Sequence, residues 1–137
     1  MDKLKSILLV DDDDTTNFVN QLLLEDLEVS DKILVANNGL EALQLIGEQC
    51  RENCNPEIIL LDINMPVMNG LDFMREWQQL EPKFKQSVVY ILTTSLNPND
   101  IETLHQMPIR GYLNKPLTHA MVKTLVDNYF DQDQKNS

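Results

Sequence analysis

Two kinds of segment are missing from this sequence: a long apolar run and a cluster of basic residues. No apolar run approaches the roughly 20 residues that span a bilayer. The run Ile7–Val10 near the N-terminus is shorter than the about 7–15 apolar residues of a secretory signal. We therefore expect a cytoplasmic protein without membrane segments.

Positive charge is also in short supply. The chain has 11 basic and 22 acidic residues among 137, which gives a net charge of -11 and a pI near 4.4. A nucleic-acid backbone would be repelled unless one face were unusually basic, and no Lys/Arg cluster suggests such a face. Direct nucleic-acid binding is not expected.

Cysteine is scarce as well, since the chain has only Cys50 and Cys54. Their spacing would place them on neighbouring turns of one helix face, as in half of a metal site. No further cysteine and no suitably placed histidine completes a set of four ligands. We therefore expect two free thiols.

What the sequence does contain is a regular alternation of two apolar patterns. Five short runs rich in β-branched and aliphatic residues predict strands that are buried on both faces: Ile7–Val10, Ile33–Ala36, Ile58–Leu61, Val88–Leu92 and Ile109–Leu113. Segments with helical apolar spacing follow each run and predict five helices. The first helix is predicted from Phe18, Leu22, Leu23 and Leu27.

Strict alternation of strand and helix predicts an α/β fold, because each connection between parallel strands must cross over the sheet. We expect an open, doubly wound, five-stranded parallel sheet with helices on both faces. The length predicts a single domain, which we place at residues 1–130. A short polar tail is expected at residues 131–137.

Reactive side chains follow four of the five predicted strands. In open parallel sheets, ligands bind outside the carboxyl ends of the strands. The residues at those ends are Asp11 and Asp12 after strand one, Asp62 after strand three, Thr93 and Thr94 after strand four, and Lys115 after strand five. If strands one and three are neighbours, three carboxylates converge and need a cation to limit their repulsion. Magnesium suits such a site, because it binds a few carboxylate oxygens and keeps several waters or phosphate oxygens.

The most specific motif is the segment from Asp62 to Gly70, Asp-Ile-Asn-Met-Pro-Val-Met-Asn-Gly. It resembles the phosphoacceptor loop in the receiver domains of two-component response regulators. That family also has an acidic pair after strand one, Thr or Ser after strand four and Lys-Pro after strand five, and all appear here in order. The resemblance covers about Lys5 to Phe130 and implies a flavodoxin-like fold with strand order 2-1-3-4-5.

The resemblance assigns roles in phosphoryl transfer to four positions. It implies that Asp62 accepts the phosphoryl group, that Lys115 pairs with the phosphoryl oxygens, and that Thr93 donates its hydroxyl to them. Tyr112 matches the family's switch aromatic, which turns inward as the threonine moves towards the phosphate. The negative charge of a phosphoryl group on Asp62 would thereby change the conformation of the protein surface around Tyr112.

The resemblance also implies how magnesium is held. Asp12 and Asp62 would be direct ligands, Asp11 would act largely through water, and Asn64 would contribute its backbone carbonyl. These are oxygen ligands, which magnesium prefers.

Partners follow from the same resemblance. A histidine kinase or histidine phosphotransfer protein would donate the phosphoryl group, and an unidentified downstream protein would bind the face formed by helix four, strand five and helix five. We expect a single-domain response regulator that is not an enzyme, apart from self-phosphorylation by small phosphodonors and self-dephosphorylation.

Two other interpretations stay open. The order Asp11-x-Asp13-x-Thr15 also fits the opening motif of haloacid-dehalogenase-type phosphatases, with Asp11 as the nucleophile and Asp13 as the acid/base. That interpretation needs a second acidic pair after Lys115, which the sequence lacks, and we expect Asp13 and Asp14 to cap the first helix instead. The other alternative is a degenerate receiver that acts only as a binding module, which the complete set of site residues disfavours.

Overall fold

The computed structural model of the chain describes residues 3–51, 55–94 and 98–135. Five parallel strands form one sheet in the order β2-β1-β3-β4-β5. The strands are β1 Leu4–Val10, β2 Ser30–Ala36, β3 Ile58–Leu61, β4 Val88–Thr93 and β5 Gly111–Asn114. The helices are α1 Asp14–Leu27, α2 Gly39–Arg51, α3 Gly70–Gln78, α4 Pro98–His105 and α5 His119–Lys135, with a 3₁₀ turn at Pro82–Phe84. The predicted α/β fold and strand order are confirmed.

The three central strands, β1, β3 and β4, carry an apolar core on both faces of the sheet. Successive side chains in a strand point to opposite faces. Thus Ile59 of β3 packs in a cluster with residues of α2, α3 and α4, whereas its neighbour Leu60 packs in a cluster with residues of α1 and α5. The sheet is therefore held between two helical layers, and its carboxyl edge is left for polar side chains.

The two edge strands differ from the sequence prediction. Burial on both faces is correct for the central strands but wrong for β2 and β5, whose residues are mostly half-buried or exposed. Each edge strand has a neighbour on one side only. β5 also begins two residues later than predicted, because the Ile109 N–H donates to the Met107 carbonyl at 2.8 Å in a turn.

The C-terminal segment is more regular than predicted. Helix α5 continues to Lys135, so residues 131–135 of the predicted polar tail are helical. The remaining two residues of that tail lie outside the described part of the chain. The division into a domain of residues 1–130 and a tail stays a prediction.

The predicted free thiols also stay predictions. Cys54 lies outside the described residues, and Cys50 belongs to α2. Within the three described ranges, no helix has the length and apolar character needed to cross a membrane.

Helix α1 buries two asparagines and exposes three apolar side chains. The buried positions are Asn17, Asn20 and Leu24. The exposed apolar positions, which we call the α1 apolar patch, are Phe18 at 62%, Val19 at 55% and Leu22 at 49% exposure. The predicted helix is confirmed, but two of the residues whose spacing predicted it face solvent.

Candidate functional site

Two backbone hydrogen bonds bring the acidic residues together at the carboxyl edge of the sheet. The Asp11 N–H donates to the Ala36 carbonyl at 3.1 Å, and the Asp62 N–H donates to the Val10 carbonyl at 2.9 Å. Because β1 and β3 are neighbours, Asp11 and Asp62 lie side by side. One carboxylate oxygen from each of Asp11, Asp12 and Asp62 lies within 4.8 Å of the others. The convergence expected from the strand ends is therefore present.

Lys115 reaches the same group of carboxylates from β5. Its backbone N–H donates to the Thr93 carbonyl at 3.0 Å, which ties the residue to the end of β4. Its Nζ lies 2.5 Å from Asp11 Oδ2 and 3.4 Å from Asp62 Oδ2. The ammonium group is therefore shared by two buried carboxylates.

Burial and neighbouring charges change the proton affinity of these groups. Burial raises the pKa of the Asp62 carboxyl above its ordinary value of 3.8, and the Asp11 charge adds to this effect while Lys115 opposes it. Burial alone would lower the pKa of Lys115, but its hydrogen bond to Asp11 and the negative charge of Asp62 outweigh burial and raise that pKa above 10.5. Lys115 therefore stays protonated at neutral pH.

The carboxylate cluster fits a small divalent cation. Asp11 and Asp62 are buried, whereas Asp12 is exposed, so a bound cation would contact both protein and solvent. Carboxylate oxygens with access to water are the ligand set that magnesium accepts. Asn64 is exposed in the loop two residues after Asp62, and its carbonyl remains a predicted ligand.

The two predicted switch residues both have a buried hydroxyl. Thr93 ends β4 and its side chain is fully buried. Neither its Oγ1 nor the Tyr112 hydroxyl has a hydrogen-bond partner among the described residues. The Tyr112 ring meets His105 of α4 edge-on, with 5.7 Å between ring centroids and 78° between ring planes. The sequence gives no signal for this contact, because His105 has no partner pattern along the chain.

The loop after Asp62 explains why its motif contains Asn-Gly. The Asn69 side chain accepts a hydrogen bond from the Asp72 N–H at 2.9 Å and caps α3. The Gly70 N–H donates to the Ile63 carbonyl at 2.9 Å, which brings the loop back against the end of β3. Val67 adopts a left-handed backbone at φ 66°, which is strained for a β-branched residue.

Asp13 and Asp14 lie where capping predicts. The Asp13 side chain accepts from the Thr15 N–H at 3.3 Å and from the Thr16 hydroxyl at 2.5 Å. Asp14 lies in the first turn of α1. Both predictions are confirmed, and this use of Asp13 gives no support to its assignment as the acid/base of a phosphatase.

Known proteins share this fold and arrangement. The family model for the response regulator receiver domain matches residues 7–127. The response regulator Rcp1 of Synechocystis sp. is 32% identical over 81% of this chain and 76% of its own length. The chemotaxis protein CheY1 of Helicobacter pylori is 29% identical over 85% of this chain and 90% of its own length. The crystal structure of a two-component response regulator from Cytophaga hutchinsonii matches with a TM-score of 0.85 and 30% identity, covering 94% of this chain and 98% of that one.

These matches define a protein of two-component signalling. The chain belongs to the response regulator receiver domain family. The family match covers both the acidic pair and the Asp62 loop, so it supports the receiver interpretation over the phosphatase interpretation.

Gly70→Ala should destabilise the protein, because a Cβ at this position would lie 2.5 Å from the Asp62 carbonyl oxygen and 2.9 Å from Ile63 Cα. Urea denaturation should show a loss of about 1–3 kcal/mol in the free energy of unfolding. Gly47→Ala in α2 is the control, since its Cβ would meet no atom within 4 Å, and it should gain about 0.5–1 kcal/mol. Equal effects of the two changes would contradict this account of the loop.

Asp62→Asn should stabilise the metal-free protein increasingly as the pH rises. Because the pKa of Asp62 is raised in the folded state, ionisation of this group opposes folding above its ordinary pKa of 3.8. The unfolding free energy of the variant minus that of the native protein should therefore grow from pH 3.8 towards neutrality. Asp127→Asn, at an exposed position on α5, is the control. A difference that does not vary with pH would refute the effect of burial.

Proposed function

We propose that Asp62 accepts a phosphoryl group from the phosphohistidine of a histidine kinase or histidine phosphotransfer protein. The observation that carries this proposal is the position of Asp62, which is buried at the end of β3, 3.4 Å from the Lys115 ammonium. Proteins of this family act in two-component systems, which supports the class of donor. A cytoplasmic location belongs to the same proposal.

In the proposed reaction, a carboxylate oxygen of Asp62 attacks the phosphorus atom. The new O–P bond forms as the donor's P–N bond breaks, and the imidazole nitrogen keeps the electron pair and takes a proton from solvent. Lys115 supplies positive charge to the phosphoryl oxygens, and Thr93 would donate its free hydroxyl to one of them.

Magnesium completes the proposed site. Asp11, Asp12, Asp62 and the Asn64 carbonyl would hold it, with Asp12 and Asp62 as direct ligands and Asp11 acting largely through water. When bound, it neutralises charge on the transferring phosphoryl group. No enzyme activity is proposed beyond self-phosphorylation by small phosphodonors and self-dephosphorylation.

The output is proposed to be a shape change at the face of α4, β5 and α5, to which a downstream protein binds. Thr93 and Tyr112 both have a hydroxyl without a partner among the described residues, so each is free to gain one in a second state. The contact between Tyr112 and His105 joins β5 to α4. Movement of Tyr112 would therefore be passed directly to α4.

Asp62→Asn should abolish phosphorylation, because the change removes the carboxylate oxygen that attacks phosphorus in the proposed reaction. Intact-mass measurement after treatment with acetyl phosphate and magnesium should show one phosphoryl adduct on the native protein and none on this variant. Asp14→Asn, an exposed position in the first turn of α1, is the matched control and should retain the adduct. Loss of the adduct in Asp11→Asn with retention in Asp62→Asn would instead support the phosphatase chemistry, and no adduct on the native protein would support a degenerate receiver.

Thr93→Ala should mute the remote response without preventing phosphorylation. Beryllofluoride, which stands in for the phosphoryl group on Asp62, should change amide exchange in α4, β5 and α5 of the native protein and leave α2 largely unchanged. Phosphate can shift the two conformations only through contacts that differ between them, and Thr93→Ala removes one such contact. Thr93→Ser keeps the hydroxyl and should respond as the native protein does. A response confined to residues around Asp11, Asp62 and Lys115 would refute the proposed switch.

A further inference from the structure

Two asparagines lie on the face of α1 that packs against the sheet. Asn17 is 4% exposed and Asn20 is 6% exposed. With Leu24, they form a line at spacings of three and four residues, which is the buried stripe of a helix. Apolar residues usually occupy such positions, because a buried amide must find partners for its polar atoms. The two polar positions are those nearest the carboxylates.

Asn17 and Asn20 line one crevice together with Asp11 and Asp62. The crevice is narrow, and apolar residues of β1, β3 and β4 form its other walls. The two amides therefore lie directly behind the site proposed for metal and phosphate.

Among the described residues, the Asn17 side chain makes one hydrogen bond, and its partner is the backbone of Asp11. Its Nδ2 donates to the Asp11 carbonyl oxygen at 2.8 Å. The carboxylate of the same residue accepts hydrogen bonds from the Asp13 N–H at 3.0 Å and from Lys115. Asn17 therefore holds the backbone of Asp11 from the buried face of α1. Asp11 lies in the turn that connects β1 to this helix.

The side-chain oxygen of Asn17 shows that packing alone does not account for an asparagine at this position. Its Oδ1 is buried and has no hydrogen-bond partner among the described residues, which is unfavourable for folding. A leucine of similar size would remove this unpaired oxygen but would leave the Asp11 carbonyl without its donor. The feature that distinguishes asparagine from leucine here is therefore the hydrogen bond that its amide donates to the Asp11 carbonyl.

We propose that Asn17 is a positioning residue that sets the magnesium affinity of the site. By holding the Asp11 carbonyl, it fixes the direction of the Asp11 carboxylate beside Asp12 and Asp62. It contacts neither the cation nor the phosphoryl group. This inference rests on the proposed function, because it concerns the same metal site.

The test is magnesium binding to the unphosphorylated protein, measured by titration calorimetry, for Asn17→Leu and Asn20→Leu. Groups that orient metal ligands typically contribute about 10–100-fold in affinity, so Asn17→Leu should weaken binding by about 10-fold or more. Asn20→Leu is the matched control: it makes the same change on the same helix, at a similarly buried position that lines the same crevice. The native Asn20 side chain makes no hydrogen bond to Asp11 among the described residues, so Asn20→Leu should leave the magnesium affinity nearly unchanged.

A second measurement separates positioning from general damage to the fold. Urea denaturation in the absence of magnesium should show similar stability losses for the two leucine variants, although their magnesium affinities differ. Asn17→Ser, whose shorter side chain does not reach the Asp11 carbonyl, should also weaken binding and replaces Asn17→Leu if that variant does not fold. Asn17→Gln keeps the amide donor and should recover part of the affinity.

The possible failures are distinct. Native-like magnesium affinity in Asn17→Leu or Asn17→Ser would overturn the role of Asn17 while leaving the proposed function intact. An equal loss in Asn20→Leu would also overturn it, since both changes would then act through packing. A native protein that binds no magnesium and accepts no phosphoryl group would refute the proposed function and, with it, this inference.

Discussion

Mutual repulsion among three carboxylates governs the carboxyl edge of the sheet. Two unit charges 4 Å apart near a protein surface interact by on the order of 4 kcal/mol, and Asp11, Asp12 and Asp62 present oxygens within 4.8 Å of one another. Lys115 offsets one of the three charges when all are ionised, which leaves two. That remainder equals the charge of one divalent cation, so the ammonium and the proposed magnesium together balance the site.

Much of this arrangement follows from the sequence, because parallel strands end at a common edge. Once the apolar runs are located, the residues that follow them are placed at one edge of the sheet, and Asp11, Asp62 and Lys115 are among them. Alternation of strand and helix likewise predicts the class of fold. The strand order required the resemblance to a known family, since periodicity does not tell which strands are neighbours.

Other features depended on contacts that spacing does not encode. Helical periodicity predicted α1 but not which side it buries, so the buried Asn17 and its bond to the Asp11 carbonyl were missed. The contact between His105 and Tyr112 joins two separate elements and has no local sequence signal. The close approach of Gly70 to Asp62 is visible only in three dimensions, although the Asn-Gly pair marks the turn.

The α1 apolar patch has a consequence for handling the protein at high concentration. The patch is an exposed apolar surface through which copies of the chain can associate. The net charge of -11 opposes this association by long-range repulsion. That repulsion vanishes near the pI of about 4.4. It is also screened in concentrated salt, where the Debye length falls to about 3 Å at 1 M. We therefore expect greater colloidal stability at neutral pH than near the pI, and greater stability at low than at high ionic strength.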